Sequence, residues 1–216
     1  MYTPPPDLGL ELLHEDAAML VVNKPAGLLS VPGRGAEKQD SLTSRVQKRF
    51  ADALSVHRLD METSGIIVFA RSAATHRTLS IAFQERLTDK RYIAVVDGMM
   101  KHDSGEIDLP LITDWPNRPL QKVDHDIGKP SLTRYKVLQR DEHLHATRVA
   151  LEPVTGRSHQ LRVHLQAIGH AILGDALYAD VTARAKAPRL LLHATDLSLP
   201  HPITGERLQW HCPPAF

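Results

Sequence analysis

Apolar positions along the chain fall into two rhythms. Residues 19–23 (MLVVN) make a short apolar run closed by Lys24-Pro25, which predicts a strand entering a turn. Residues 65–70 (GIIVFA) are continuously apolar and predict a buried strand, and residues 92–96 form another β-rich run. Between them the period lengthens. Leu42, Val46 and Phe50 recur at i, i+4 and i+8, predicting a helix over 41–50 with Asp40 or Ser41 as its cap. Residues 75–84 carry the same helical pattern, and 27–35, with Pro32 and several glycines, read as a loop.

The second half is richer in strand signals. Residues 133–138 and 146–151 read as neighbours joined by the polar stretch 139–145. Residues 158–168 predict a helix with Ser158 as N-cap, an apolar face of Leu161, Leu165 and Ile168, and Gly169 just past its end. Residues 190–194 and 208–211 are short strand candidates. Clustered strands with helices set between some of them imply an α+β domain around a mixed, mainly antiparallel sheet, with flanking helices and a central cleft. No sharp linker is visible, so the 216 residues read as a single catalytic domain. Any division into lobes is expected near 98–130.

Composition narrows the class. A hydrophobic content of 42% suits a folded domain rather than a disordered chain, and one cysteine, Cys212, excludes an internal disulfide. The N-terminus shows no secretory pattern and no apolar run approaches the ~20 residues that cross a bilayer, so a soluble, cytoplasmic protein is expected. Net charge is only +1. Local patches matter more: residues 153–174 contain no Asp or Glu but hold Arg157, His159, Arg162, His164 and His170. Further basic groups are Arg45, Lys48 and Arg49; Arg86, Lys90 and Arg91; and Arg184, Lys186 and Arg189. Such patches can grip a polyanion, although solvated helix faces are the commoner explanation of each.

Three segments could carry chemistry. In His57-Arg58-Leu59-Asp60-Met61-Glu62-Thr63-Ser64 an acid lies on a loop at the mouth of a buried strand. Taken alone, the commoner role of such an aspartate is to cap Thr63 or Ser64 in an Asx-turn. In residues 156–164 (GRSHQLRVH), Leu161 faces the core while Arg162 is turned by about 100° to its edge, from where it can hold a carboxylate ionised; a surface arginine is the ordinary alternative. In residues 90–95 (KRYIAV), Tyr92 can stack on a base, or serve only as a half-buried structural tyrosine. Phosphate loops, nucleophile elbows and dinucleotide fingerprints are missing. The histidines, at spacings such as His143-x-His145, lack a convincing third ligand, and no metal site is expected.

Together these segments resemble the RluA family of pseudouridine synthases. The resemblance rests on NKPAGLLSVPG at 23–33, VHRLDMETSGIIVFA at 56–70, KRYIAVV at 90–96, PVTGRSHQLRVHLQAIGHAILGDALY at 153–178 and RLLLHA at 189–194. DWPNRP at 114–119 and QKV at 121–123 place it nearest the dual-specificity members. It implies a pseudouridine synthase fold without the N-terminal RNA-binding module that some members carry. It also implies an isomerase that needs no cofactor and converts uridine to pseudouridine in structured RNA. The implied targets are a hairpin of 23S rRNA and the anticodon stem-loop of certain tRNAs, with no membrane or protein partner.

Residue by residue, Asp60 matches the catalytic aspartate and Arg162 its paired arginine. Tyr92 matches the tyrosine that stacks on the flipped uracil, and Arg58 the arginine that enters the RNA helix. Leu161, the apolar member of the arginine motif, and His57 are, with Arg58, the expected substrate-binding residues. Chemically, the reaction must break N1–C1′, turn the uracil and join C5 to C1′, which calls for a dry, oriented carboxylate but no redox carrier. Asp60 could attack covalently or assist loss of the C2′ proton, and both routes stay open. The competing functions are a non-catalytic RNA-binding helper, a nucleoside hydrolase built on Asp60, and a tRNA-only or rRNA-only synthase.

Overall fold

The computed structural model describes residues 2–216. The chain forms two compact units, one built from the residues up to Lys90 with Ala194–Ala215, the other from Arg91–His193 with Phe216. The elements leading to the first division are β1 (Glu11–Glu15), β2 (Met19–Lys24), α1 (Leu42–Arg49), β3 (Leu54–Ser55), β4 (Ser64–Ala70) and α2 (Ala73–Gln84). Next come β5 (Asp89–Asp97), β6 (Ser104–Asp108), β7 (Leu111–Thr113), β8 (Gln121–Val123), β9 (Leu132–Asp141) and β10 (Ala146–Pro153). The chain ends with α3 (Gln160–Ala167), α4 (Val181–Ala185), β11 (Leu192–Pro200) and β12 (Arg207–His211). The fold is α+β with mainly antiparallel strand pairing, as the strand clustering implies.

In the first unit β2 pairs antiparallel with both β1 and β4, and β12 pairs with β11. Every residue of β4 is buried, so its apolar run has no polar face to present. Met19, Val21, Ile66, Val68, Leu79, Leu197 and Leu199 form the core there. Helix α1 begins at Ser41, whose hydroxyl accepts from the Ser44 amide while the Ser44 hydroxyl accepts from the Ser41 amide, a reciprocal cap. Ser72 and Thr75 do the same for α2, starting it two residues before the position its apolar pattern suggests.

In the second unit β10 lies between β5 and β9, and β6 continues from β9, all antiparallel. The β9–β10 hairpin is the neighbouring pair expected from residues 133–138 and 146–151. Its core holds Ala94, Val96, Val149, Leu151, Leu161, Leu165 and Ile172. Strands β7 and β8 form a separate two-stranded arm.

Four expectations need correction. The unit boundaries lie at Lys90/Arg91 and His193/Ala194 rather than near 98–130; they run through β5 and β11, whose unbroken strand sequence shows no linker composition. Helix α3 is capped by His159, in the left-handed region at φ 53°, not by Ser158. The reason is a tertiary one: Gln160 turns back to accept from the Arg157 amide and the Thr155 hydroxyl, closing the turn one residue later. Ile168 is 37% exposed and does not extend the apolar face. Finally, the basic groups do not all make surface patches. Arg162 and His164 are in the core, and Arg45 is buried with its guanidinium on Asp40 and the carbonyls of Pro5 and Pro6.

Gly65, at φ 115°, begins the buried strand beyond the Asp60 loop, and a Cβ there would lie 2.5 Å from the Ala194 nitrogen. Gly65→Ala is therefore expected to destabilise the protein by at least about 3 kcal/mol, through both strain and collision. Urea unfolding of the two proteins measures it; a loss below 1 kcal/mol, about a tenth of ordinary domain stability, would contradict this reading.

Candidate active site

The Asp60 loop is held from beneath by the segment that follows β2. Lys24 is fully buried, and its ammonium donates to the carbonyls of Pro25 (2.9 Å), Leu28 (2.7 Å) and Met61 (2.9 Å). Three protons meet three acceptors, a match that favours the charged form. Burial works the other way and brings the Lys24 pKa down to about 7, while the carboxylates of Glu62 and Asp60 pull it up. The Met61 carbonyl also accepts from the Gly27 amide at 2.9 Å. On the other side of Asp60, the Ser30 hydroxyl donates to the Leu59 carbonyl (2.6 Å) and accepts from the Leu59 amide (3.1 Å). The backbone is thus clamped at both neighbours of Asp60. The Asp60 carbonyl in turn accepts from the Thr63 amide at 3.1 Å, closing the turn into β4.

His57 and Arg58 take opposite positions. The His57 ring stacks on Phe83 with centroids 4.4 Å apart, and its Nε2 accepts from the Val68 amide at 3.1 Å. A ring nitrogen that accepts cannot carry a proton, so this imidazole is neutral. Burial, with the Lys90 charge nearby, holds its pKa at about 3. His57 is engaged with the protein on both sides and carries Arg58, which is exposed.

In the second unit the arginine motif is built as firmly. Arg162 is 3% exposed. Its Nε and Nη2 donate to the two carboxylate oxygens of Asp175 at 2.8 and 2.7 Å, a bidentate pair. Asp175 also accepts from the amides of Leu177 and Tyr178, and the Tyr178 ring lies 5.0 Å beneath the guanidinium. The Tyr178 hydroxyl accepts from the Gln121 amide and lies 2.6 Å from His159 Nδ1. The guanidinium plane is therefore set by Asp175 and Tyr178. Below it, His164 Nε2 donates to the Leu109 carbonyl and Nδ1 accepts from Thr133; burial lowers its pKa, and it is a neutral core residue. Leu161 belongs to the core, with Tyr92 of β5 packed partly buried against it.

The chain can now be set beside known proteins. Residues 18–167 match the family model described as RNA pseudouridylate synthase. The chain belongs to this family. It is 52% identical over 215 residues to a dual-specificity RNA pseudouridine synthase RluA of Pasteurella multocida, spanning 100% of this chain and 98% of that protein. It is 51% identical to the protein of that name from Escherichia coli K12, with the same coverage. Among solved structures it resembles human RNA pseudouridylate synthase domain containing 1, with a TM-score of 0.83 and 29% identity over 99% of this chain and 87% of that one. No helix among the described residues is long and apolar enough to cross a membrane.

Of the residues that the sequence singles out, Asp60, Arg58 and His57 share one loop of the first unit, whereas Tyr92, Leu161 and Arg162 belong to the second. Sequence reasoning assigned no role to Lys24, Ser30, Asp175 or Tyr178. A lysine placed directly after an apolar run and before proline was the available signal for the first; nothing local marks the others.

Two measurements follow. Lys24→Met leaves the carbonyls of Leu28 and Met61 without their donor and is expected to destabilise by about 3 kcal/mol and to lower kcat by ~10- to 100-fold through misplacement of Asp60. Unaltered kcat in a folded variant would refute the clamp. The second concerns pH. The His57 pKa is depressed in the fold, so as pH falls below about 6.5 the unfolded chain takes up a proton that the folded one refuses, and stability declines until about pH 3. Relative to His57→Gln, the wild type is expected to lose up to about 2 kcal/mol between pH 7 and 5. Parallel stability profiles for the two would overturn the assignment.

Proposed function

We propose that this chain isomerises uridine to pseudouridine in both rRNA and tRNA stem-loops, with Asp60 as the catalytic carboxylate. The observation that carries the reading is the clamped Asp60 loop within a chain similar over its whole length to synthases named for dual specificity. Asp60 acts on the target nucleotide, by attack at C1′ or on the uracil ring, or by assisting loss of the C2′ proton, which returns as C5 joins C1′. The N1–C1′ bond breaks, the uracil turns and C5 joins C1′; the proton lost from C5 is balanced by one gained at N1. Arg162 keeps the role that the family motif gives it, that of the arginine that holds the reacting carboxylate ionised, and Leu161 is its apolar neighbour in the motif. Tyr92 stacks on the extruded uracil.

Extruding a stacked uridine costs a few kcal/mol, and Arg58, exposed on the same loop, offsets part of this by filling the gap. His57 supports Arg58 from behind. The whole chain works as one catalytic domain in the cytoplasm, where both RNA classes occur, and needs no cofactor. Recognition by this domain rests on the shape of a short folded loop, so two RNAs that adopt one bound shape are handled alike.

The test is a side-by-side assay of an anticodon stem-loop and an rRNA hairpin with wild type and Asp60→Asn. Wild type is expected to modify both. The variant, which keeps the shape and loses the charge, is expected to bind both and form no pseudouridine. Turnover by the variant would remove Asp60 from the chemistry; modification of one RNA class only would reject dual specificity and leave the isomerase; release of free uracil would point to hydrolysis.

A further inference from the structure

The arm β7–β8 of the second unit carries the segment Asp114–Pro119, which the reaction described above does not use. The tip is a tight, well-bonded turn. The Asp114 amide donates to the Leu120 carbonyl (2.9 Å), the Asn117 amide to Asp114 (3.0 Å) and the Leu120 amide to Asn117 (3.0 Å), while the Asn117 side-chain amide donates to the Asp114 carboxylate (2.9 Å). On this rigid tip Trp115 is 64% exposed. The Arg118 guanidinium lies 3.5 Å from the centre of its ring. Beside the ring is an open hollow of about 160 Å³, lined by Ile112, Thr113, Asp114, Pro116 and Lys122 with Ile127, and Arg118 takes no part in it. Ile127 is itself 69% exposed.

Trp115 and Ile127 both line the hollow and both stay largely exposed, so the preorganised turn offers apolar surface that a stacked guest would cover. Arg118 covers one face and leaves the hollow side of the ring for a planar guest. The Arg118 cation on the ring suits a guest that is part of a polyanion; Lys122 also lines the hollow, 3.5 Å from the Asp124 carboxylate. The base of the arm is fixed as well: the Gln121 amide donates to the Tyr178 hydroxyl, and Tyr178 is the ring beneath Arg162. The arm tip and the arginine motif thus form one continuous bonded structure within this unit.

We infer that Trp115 is an RNA-contact residue on which an unpaired base of the substrate stem-loop, other than the target uridine, stacks in an Arg118–Trp115–base sandwich. The inference rests on the proposed RNA-modifying function and adds a substrate-gripping residue to it. Stacking of this kind tolerates any base, so it contributes to holding the loop rather than to reading its sequence.

The experiment uses Trp115→Ala and Trp115→Phe in steady-state pseudouridine formation on a stem-loop RNA, together with tryptophan fluorescence in a Trp210→Phe background, where Trp115 is the only tryptophan left. Trp115→Ala is expected to raise KM about tenfold with kcat and thermal midpoint little changed, and Trp115→Phe to recover most of the loss. RNA is expected to quench Trp115 emission. An unchanged KM in Trp115→Ala overturns the inference, as does emission that RNA leaves untouched. A fall in thermal midpoint with KM unchanged also overturns it, by making the Trp115–Arg118 pair purely structural, and so does concentration-dependent burial of Trp115 without RNA, which would assign the tip to a second copy of the chain. If wild type makes no pseudouridine while RNA still quenches Trp115, the proposed function fails and the stacking contact stands; if wild type is active and Trp115→Ala equals it, only the contact fails.

Discussion

A single ammonium group sealed among three carbonyl oxygens is the constraint on which the first unit depends. Lys24 has no exposed surface, and one of its three acceptors, Met61, is the residue after Asp60. Desolvating a cation is expensive, and this site returns the cost only while all three carbonyls stay in place. The loop between β2 and α1 therefore cannot relax independently of the loop before β4. Ser30 adds a second tie at Leu59, on the opposite side of Asp60. Asp60 is thereby fixed through the backbone on both sides, and a charge so preorganised needs no reorganisation to act on a neighbour.

The second unit meets the same need by different means. Arg162 is buried beside a carboxylate of its own, Asp175, and rests on Tyr178. The planar fork of a guanidinium can satisfy one carboxylate in bidentate fashion and still present a nitrogen elsewhere, which a lysine could not do. Asp175 itself accepts from two backbone amides, so the pair is held by the chain turn at 175–178 and not merely by mutual attraction. The Tyr178 hydroxyl extends the network to the β7–β8 arm through Gln121. Anything that moves the arm base bears on the ring beneath the arginine.

Much of this architecture is legible in the sequence. The apolar run at 65–70 pointed to a buried strand, the four-residue spacing of Leu42 and Val46 to one buried helix face, and two strand candidates joined by the polar stretch 139–145 to the β9–β10 hairpin. These patterns are local, and burial enforces them residue by residue. Asp60 stood out because it precedes the buried strand, and the ordered set of motifs identified the family. The start of α3 was misread because Ser158 satisfies every local rule for a cap, yet Gln160 finds better partners in Thr155 and Arg157, with its amide on Leu132 and Thr133.

By itself, then, the sequence determined the main element types, the α+β class and the family, since each follows from periodicity or from residue identity in order along the chain. The tertiary structure alone decided that Lys24 is a buried clamp and not a surface charge, that Arg162 is seated on Asp175 thirteen residues away, and that His57 is a neutral ring between Phe83 and the Val68 amide. Each of these depends on which distant carbonyl, carboxylate or ring comes within bonding distance. A charged or titratable side chain has no periodic signature of its own: its state is set by the solvent it loses and the partners it gains, and both are properties of the folded chain.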